Sequence, residues 1–131
     1  MAAASNYLED KVLDHVLDVA AYAQPAALYV GLFTASTGLE INAPSAEVTG
    51  NGYARTVVAF LAAVSGSSKN DGAVTFPTAS GGPWGTITFA AVMDAASGGN
   101  VLFYGALSVD KTVTDGDTFQ ISNEQLTITM A

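Results

Sequence analysis

The chain of 131 residues lacks several residue types on which common protein functions depend. It has no cysteine, which excludes disulfides and thiolate metal sites. It has a single histidine, His15, and only four basic residues against twelve acidic ones, for a net charge of −8. Proteins bind nucleic-acid phosphates through clustered basic residues. We therefore expect no nucleic-acid partner.

Charged residues of either sign are also scarce. They make up 12% of the chain, about half the usual share, while hydrophobic residues make up 50%. A self-contained monomer of this composition would have an unusually uncharged surface. We therefore expect part of the surface to be covered, by a homo-oligomer or by another protein.

Long hydrophobic runs are missing as well. None reaches the roughly 18 residues needed to cross a bilayer, and the N-terminus, MAAASNYLED, has no basic region of the kind that begins a secretory signal. We expect no membrane partner and synthesis in a cytoplasm. The length predicts one domain, residues 1–131.

One segment near the N-terminus has the periodicity of an amphipathic helix. Asn6 can cap it, and Glu9 then takes the reciprocal position of a capping box. Apolar residues recur at helical spacing on one face: Leu8, Val12, Leu13, Val16, Leu17 and Ala20. We predict a helix over 5–22, ended by Pro25 because proline disfavours helical dihedrals in the residue before it.

Beyond the helix, strand-like runs alternate with turn residues. Seven strands are predicted, over residues 26–35, 53–64, 73–77, 84–94, 100–109, 118–121 and 126–130. Short Gly- and Asp-containing connections favour antiparallel pairing. We predict a mainly β fold, an antiparallel β-sandwich or jelly-roll-like fold over 26–131, with the helix on one face or end. The runs VVAF and VLFY are apolar throughout, so we expect burial on both faces of their strands.

The stretch EVTGNGYARTVVAF, residues 47–60, places Gly50 and Gly52 just before Arg55, the only arginine. A phosphate-binding glycine loop is followed by a helix and usually carries a lysine, whereas here a strand pattern follows. We interpret Gly50, Gly52 and Arg55 as structural residues. Arg55 is expected to pair with an acid such as Glu47 or to bond loop carbonyls.

The remaining candidates for chemistry are weak. His15 lies among acids on the polar face of the predicted helix, and no serine in a nucleophile context is near it in the sequence, so we interpret it as a solvated residue. Asp110, Asp115 and Asp117 could offer oxygens to calcium, but their spacing differs from the twelve-residue calcium loop and favours turns. We predict no catalytic residue, no metal and no cofactor.

Two features are candidates for partner binding. Asp10, Asp14 and Asp18 are spaced four apart, so they would lie along one side of the helix, where like charges repel. A basic partner surface would remove that repulsion, and a solvated face is the simpler alternative. Trp84, the only tryptophan, follows a Gly-Gly-Pro breaker. We favour its burial, and the alternative is an exposed interface anchor or sugar platform.

Five stretches stand out in order along the chain: SNYLEDKVLDHVL, ALYVGLFTA, GNGYARTVVAF, VTFPTASGGPWGTITFAAVMDAASGGNVLFYGAL and KTVTDGDTFQI. Their order and spacing resemble a family of small tailed-bacteriophage virion structural proteins, often labelled tail fibre protein and sometimes linked to head decoration. The resemblance covers nearly the whole chain. It implies a virion location, and it brings no catalytic residues.

The resemblance implies a non-enzymatic structural protein of the virion. We place first a capsid decoration or cement protein that binds the major capsid protein or another virion protein and stabilises the head shell. The reason is that the chain has no repeat, coiled-coil or collagen-like stalk. The alternative is a tail-associated fibre or adhesin module that binds a host-surface glycan.

Overall fold

The computed structural model describes residues 2–130 and is mainly β. These residues form one helix and nine strands: β1 Ala3–Ala4, α1 Asn6–Val16, β2 Leu28–Phe33, β3 Thr56–Val58, β4 Ser67–Lys69, β5 Val74–Thr75, β6 Gly85–Met93, β7 Val101–Val113, β8 Gln120–Ile121 and β9 Thr127–Thr129. The prediction of a mainly β fold with an N-terminal helix is confirmed. Among these residues, no helix has the length and apolar character needed to cross a membrane.

A five-stranded antiparallel sheet in the order β1-β7-β6-β2-β3 forms the centre of the fold. The β6–β7 hairpin is its longest pairing, with Gly85 opposite Val113 at one end and Met93 opposite Val101 at the other. Residues 110–113, which the sequence suggested as a turn, belong to β7. They remain extended because Gly85, Thr86 and Ile87 supply ladder partners for them.

Each face of the sheet has its own apolar core, as the alternation of side chains along β2 requires. Val30 and Leu32 point to one face and Phe33 to the other, and all three are fully buried. The first face is covered by two two-stranded ribbons, β4–β9 and β5–β8. Packed with Val30 and Leu32 are Val48, Val58, Val74, Phe76, Ala79, Trp84, Ile87, Ala90, Val113 and Phe119. The second layer is thus made of short ribbons.

The predicted strand over 53–64 is regular only at β3. Val57 lies opposite Tyr29 of β2 and is 61% exposed, and Ala59 is also exposed. Burial on both faces of the VVAF run was therefore a wrong expectation. The physical reason is that the core on this face of the sheet, which is formed around Phe33 and Met93, does not extend to β3, the last strand. Val101 and Leu102 of the VLFY run are buried.

The N-cap residue of the helix lies one position earlier than the sequence suggested. Ser5 is the N-cap, and its Oγ accepts a hydrogen bond from the Leu8 N–H at 3.3 Å. The Ser5 hydroxyl also donates to the Val101 carbonyl of β7. Glu9 is consequently not in the reciprocal capping position, because Leu8 is the third helical residue. The N-cap is therefore Ser5, a buried residue that also bonds to β7, and the predicted Asn6 is the first residue of the helix.

The helix also ends earlier than the predicted residue 22. Its last residue is Val16, and Asp18 has a left-handed φ of 62°. The Val19 N–H donates to the Asp14 carbonyl at 2.8 Å, which is the closing bond of a Schellman motif. The chain therefore leaves the helix well before Pro25, because Asp18 rather than the proline provides the stop.

Candidate functional site

The end of α1 carries an exposed apolar group. Four side chains there are between 56% and 72% exposed: Leu13, Val16, Leu17 and Val19. Of the helical residues only Leu8 is buried. The apolar face predicted for the helix is therefore largely exposed at this end, and α1 contacts the sheet mainly at β1 and β7. We call these four residues, together with Asp10, Asp14 and Asp18, the helix-end surface.

The three aspartates of this surface do not form one helical row. Asp10 and Asp14 lie on α1 four residues apart, so they share a side of the helix. Asp18 lies beyond the C-cap residue Leu17 in a left-handed conformation, so it leaves the helical register. The predicted row of three is therefore reduced to one helical pair, with a third acid in the following turn.

His15 has a local role beside this surface. It is exposed, and its Nδ1 accepts a hydrogen bond from the Tyr22 N–H at 3.1 Å. The bond ties the segment after the helix back to the last helical turn. His15 Nδ1 thus accepts from a backbone N–H, whereas in a catalytic triad this nitrogen carries a proton and donates it to a carboxylate.

Trp84 is not a surface residue. Its side chain is 6% exposed and belongs to the larger core. The indole N–H donates to the Asn51 carbonyl at 2.9 Å, and the ring meets Tyr53 edge to face with centroids 5.3 Å apart. Its assignment as a partner-binding residue is therefore wrong, because the packing and the hydrogen bond turn the indole inward. The burial that we favoured is what the structure shows.

Arg55 lies at the centre of a buried polar cluster. Its Nε and one terminal nitrogen each donate to a different carboxylate oxygen of Glu47 at 2.8 Å. The other terminal nitrogen donates to the carbonyls of Ala95 and Gly98, each at 2.8 Å. The side chains of Arg55 and Glu47 are 6% and 22% exposed. Both kinds of contact expected of Arg55 are present, and they join two distant loops.

Tyr53 completes this cluster. Its hydroxyl donates to Glu47 Oε2 at 2.7 Å and accepts from the Leu32 N–H of β2 at 3.0 Å. Burial raises the pKa of Tyr53 far above its ordinary value. The hydrogen bond to Glu47 raises the pKa of Arg55 as well. We call Glu47, Tyr53 and Arg55 the Arg55 clamp, and its polar atoms are occupied by bonds within the chain.

The two glycines before the clamp allow its loop to turn. Gly50 and Gly52 have φ values of 73° and 81°, a region that other residues rarely adopt. A Cβ on Gly52 would lie 3.0 Å from the Ser80 hydroxyl oxygen and 3.2 Å from the Thr78 carbonyl oxygen, whereas a Cβ on Gly50 would meet nothing within 4 Å. Gly52 is therefore constrained by both conformation and space.

The C-terminal aspartates take part in turns. Asp117 Oδ2 accepts from the Thr114 N–H at 2.9 Å and from its hydroxyl at 2.8 Å, and these bonds lower the pKa of Asp117. Asp115 lies exposed inside the same turn, and Asp110 lies on β7. Within residues 2–130, no group of three or more His, Asp or Glu side chains is placed to hold a metal ion.

A family model described as the podophage GP4 fiber I protein gp80 matches residues 3–129. The chain belongs to the gp80 family. The suspected phage virion family is thereby confirmed, and a phage fibre protein is a component of the virion. None of the curated proteins gives a significant match.

One exposed segment of this gp80-family chain was missed as a candidate by the sequence reasoning. We call residues 59–64, AFLAAV, the 59–64 arm. A tight turn with positive φ at Ser65 and Gly66 folds the arm back on β4. Leu61 and Val64 are 41% and 73% exposed. The signal was available in the run of six uncharged apolar residues, which we interpreted as a fully buried strand.

Proposed function

We propose that this chain is a non-enzymatic structural subunit of a phage fibre. The observation that carries the proposal is the match of a fibre-protein family model to residues 3–129. It favours the fibre alternative over the capsid decoration role that we placed first. The capsid interpretation depended on the lack of a stalk-like repeat in this chain. A globular fibre module that other subunits hold in place would need no such repeat.

The structural role is supported by the way in which the polar residues are used. Arg55, Glu47 and Tyr53 are bonded to one another and to backbone groups. His15 accepts from a backbone N–H, and Asp117 holds a turn. These five side chains, which are of the kinds that commonly do acid-base chemistry, thus have structural roles within the chain.

We assign attachment to the rest of the virion to the helix-end surface. Residues 9–18 contain four acids and one lysine, and Leu13, Val16 and Leu17 among them are exposed. A second copy would bring the same acids, so repulsion opposes self-association here. The surface fits a partner that presents basic residues around an apolar centre.

The apolar and the acidic residues of this surface have different roles. Apolar area that becomes covered contributes about 25 cal/mol per Å², whereas an exposed ion pair contributes at most about 1 kcal/mol. Leu13, Val16, Leu17 and Val19 therefore supply most of the affinity. Asp10, Asp14 and Asp18 select a basic partner over a neutral or acidic one.

The proposal does not include a sugar site. Trp84 was the residue considered as a sugar platform, and its side chain is buried and hydrogen-bonded to the Asn51 carbonyl. Host recognition is accordingly assigned to other parts of the fibre.

The position of the protein in the particle tests this function. Gold-labelled antibodies against the purified protein would be applied to intact particles of the phage that encodes it and imaged by electron microscopy. We expect label on the fibres at the tail, and none on particles from which the gene has been deleted. Dense, regular label over the head shell would overturn the fibre assignment in favour of capsid decoration.

A further inference from the structure

The 59–64 arm uses only one of its two hydrogen-bonding edges. On its inner edge, the Leu61 N–H donates to the Lys69 carbonyl at 2.9 Å and the Val64 N–H to the Ser67 carbonyl at 2.8 Å. The Ala59 carbonyl accepts from the Asp71 N–H on the same edge. This edge joins the arm to the β4 segment.

The other edge of the arm is open. Ala59 and Leu61 bond to the β4 segment, so the backbone groups of Phe60 between them point away from it. The alternation changes before Val64, which bonds inward again to β4. In the part of the chain that the structure describes, the N–H and C=O groups of Phe60 and Ala62 have no hydrogen-bond partner. Native proteins commonly protect such an edge with charges or proline, and AFLAAV contains neither.

The charge distribution indicates what covers this edge. No Asp or Glu occurs in residues 48–70, which contain two of the four basic residues of the chain, and the one acid beside the arm is Asp71, at the Ala59 end of the hairpin. In a chain of net charge −8, two copies repel each other least where neither brings an acid. The open edge of β7 is different, because Asp110 and Lys111 lie on it exposed and protect it from pairing.

We propose that the 59–64 arm pairs antiparallel with the same arm of a second copy, around a two-fold axis at Leu61. In this register Phe60 of each copy lies opposite Ala62 of the other. Their outward N–H and C=O groups then bond one another in about four hydrogen bonds, the number that two hydrogen-bonded residue pairs exchange. The inference is independent of where in the virion the chain lies.

The register follows from symmetry and from side-chain size. A two-fold axis between antiparallel strands of one sheet runs perpendicular to the sheet, so paired residues must point to the same face. The pairs 60 with 62 and 61 with 61 meet this condition. The large Phe60, half-buried against the core, faces the small Ala62, and the exposed Leu61 side chains cover each other.

Cysteine cross-linking tests this register, because the chain has no cysteine of its own. Opposed residues of a pair without hydrogen bonds have Cα atoms about 4.5 Å apart, within the range that a disulfide spans. Purified Leu61→Cys should therefore form a covalent dimer under mild oxidation. In Val64→Cys, the matched control, the two sulfurs lie about 20 Å apart, six residues along the strand, and no cross-link should form.

Two further variants test the pairing by molar mass in solution. Wild type should elute at twice the chain mass of 13.3 kDa in light-scattering chromatography. Ala62→Pro removes an N–H that has no partner within the described chain, so it should keep the fold and give a monomer. Leu61→Asp should also be monomeric, because two carboxylates would meet at the axis. Ile41→Asp, at an apolar residue that is more exposed than Leu61, should remain dimeric.

Circular dichroism of each variant shows whether it is folded. The proposal is wrong if wild type is monomeric over the accessible concentrations, or if folded Ala62→Pro and Leu61→Asp both keep the wild-type mass. It is equally wrong if Val64→Cys cross-links as readily as Leu61→Cys, or if neither variant cross-links.

Discussion

The Arg55 clamp and the 59–64 arm are close in sequence and opposite in character. The clamp contains an ion pair and a phenol, and its Arg55 side chain is almost completely buried. The arm contains only apolar residues, most of them exposed. The difference shows that hydrophobicity alone does not decide whether a segment is buried. The segment must also find contacts elsewhere in the chain. The clamp finds its partners within the chain, whereas the arm lies at an edge that the chain does not cover.

Removal of Arg55 should have the largest effect on the clamp side of this comparison. Arg55→Ala leaves the Glu47 carboxylate and two loop carbonyls without their donor, so we expect the free energy of unfolding to fall by about 3 kcal/mol. Urea denaturation followed by circular dichroism measures this change. The dimer of the folded fraction should be unchanged, because the arm is not touched.

The matched control is Lys111→Ala, which removes an exposed positive charge from β7. Its free energy of unfolding should change by no more than about 0.5 kcal/mol. If both variants have the same stability, the clamp contributes nothing beyond its charge. The comparison with the arm would then lose its physical basis.

The pairing within the clamp could be predicted from the sequence for a simple reason. Arg55 is the only arginine and Glu47 is the preceding acid, so few arrangements could neutralise a buried guanidinium. The helix and most strands were also evident from periodicity. The open edge of the arm could not be predicted in this way. Periodicity shows which side chains share a face, but the position of a strand within its sheet depends on contacts between distant segments.

Two local features were missed for related reasons. Ser5 was not recognised as the helix cap because its burial depends on Val101 of β7, far away in the sequence. The stop at Asp18 was missed because a left-handed aspartate is unusual, and Pro25 was the stronger signal for a helix end. The composition predicted a partly covered surface, but it could not show whether α1 or the arm was exposed.

Tyr53→Phe should have an intermediate effect and sharpen the comparison. It removes the hydroxyl that joins Glu47 to the Leu32 N–H, and we expect a loss of about 1–2 kcal/mol in the free energy of unfolding. Burial raises the pKa of Tyr53, so the folded protein keeps this proton at pH values where the unfolded chain releases it. Stability from this group is complete below about pH 10, the ordinary tyrosine value, and falls as the pH rises further.

The measurement is a series of urea denaturations from neutral pH to above pH 10. Wild type should lose stability with increasing pH in the alkaline range, and Tyr53→Phe should lose it less steeply. Tyr22→Phe serves as the control, because Tyr22 is only partly buried and burial raises its pKa in the same direction. Equal slopes for wild type and Tyr53→Phe would show that the Tyr53 hydroxyl ionises as freely in the folded protein as in the unfolded chain.

The smallest change in stability is expected at the helix-end surface, which is open like the arm but acidic. The triple substitution of Asp10, Asp14 and Asp18 by asparagine removes one repulsive pair within the helix. Such a pair lowers helix stability by about 0.2–0.5 kcal/mol. Stability should therefore rise slightly or stay constant. Attachment to particles that lack the protein should weaken, because a basic partner loses its counter-charges.

Retention of wild type and the triple variant on such particles is measured at low and high salt. Wild type should dissociate more readily at high salt, since screening acts over about 10 Å at 0.1 M. Equal, salt-independent retention of both proteins would show that the three acids only face solvent. Attachment would then have to be assigned to apolar contacts.

The bridge between Ala2 and Ile128 has a consequence for how the chain acquires its structure. The ribbons β4–β9 and β5–β8 likewise join early and late segments, so much of the second layer depends on pairings of high contact order, which form slowly. During synthesis, β4 can pair at once with the adjacent 59–64 arm, but its pairing with β9 must wait until Thr127–Thr129 leave the ribosome. The hairpin that carries AFLAAV therefore remains without β9 until late in synthesis, and it is exposed to aggregation while the chain is incomplete.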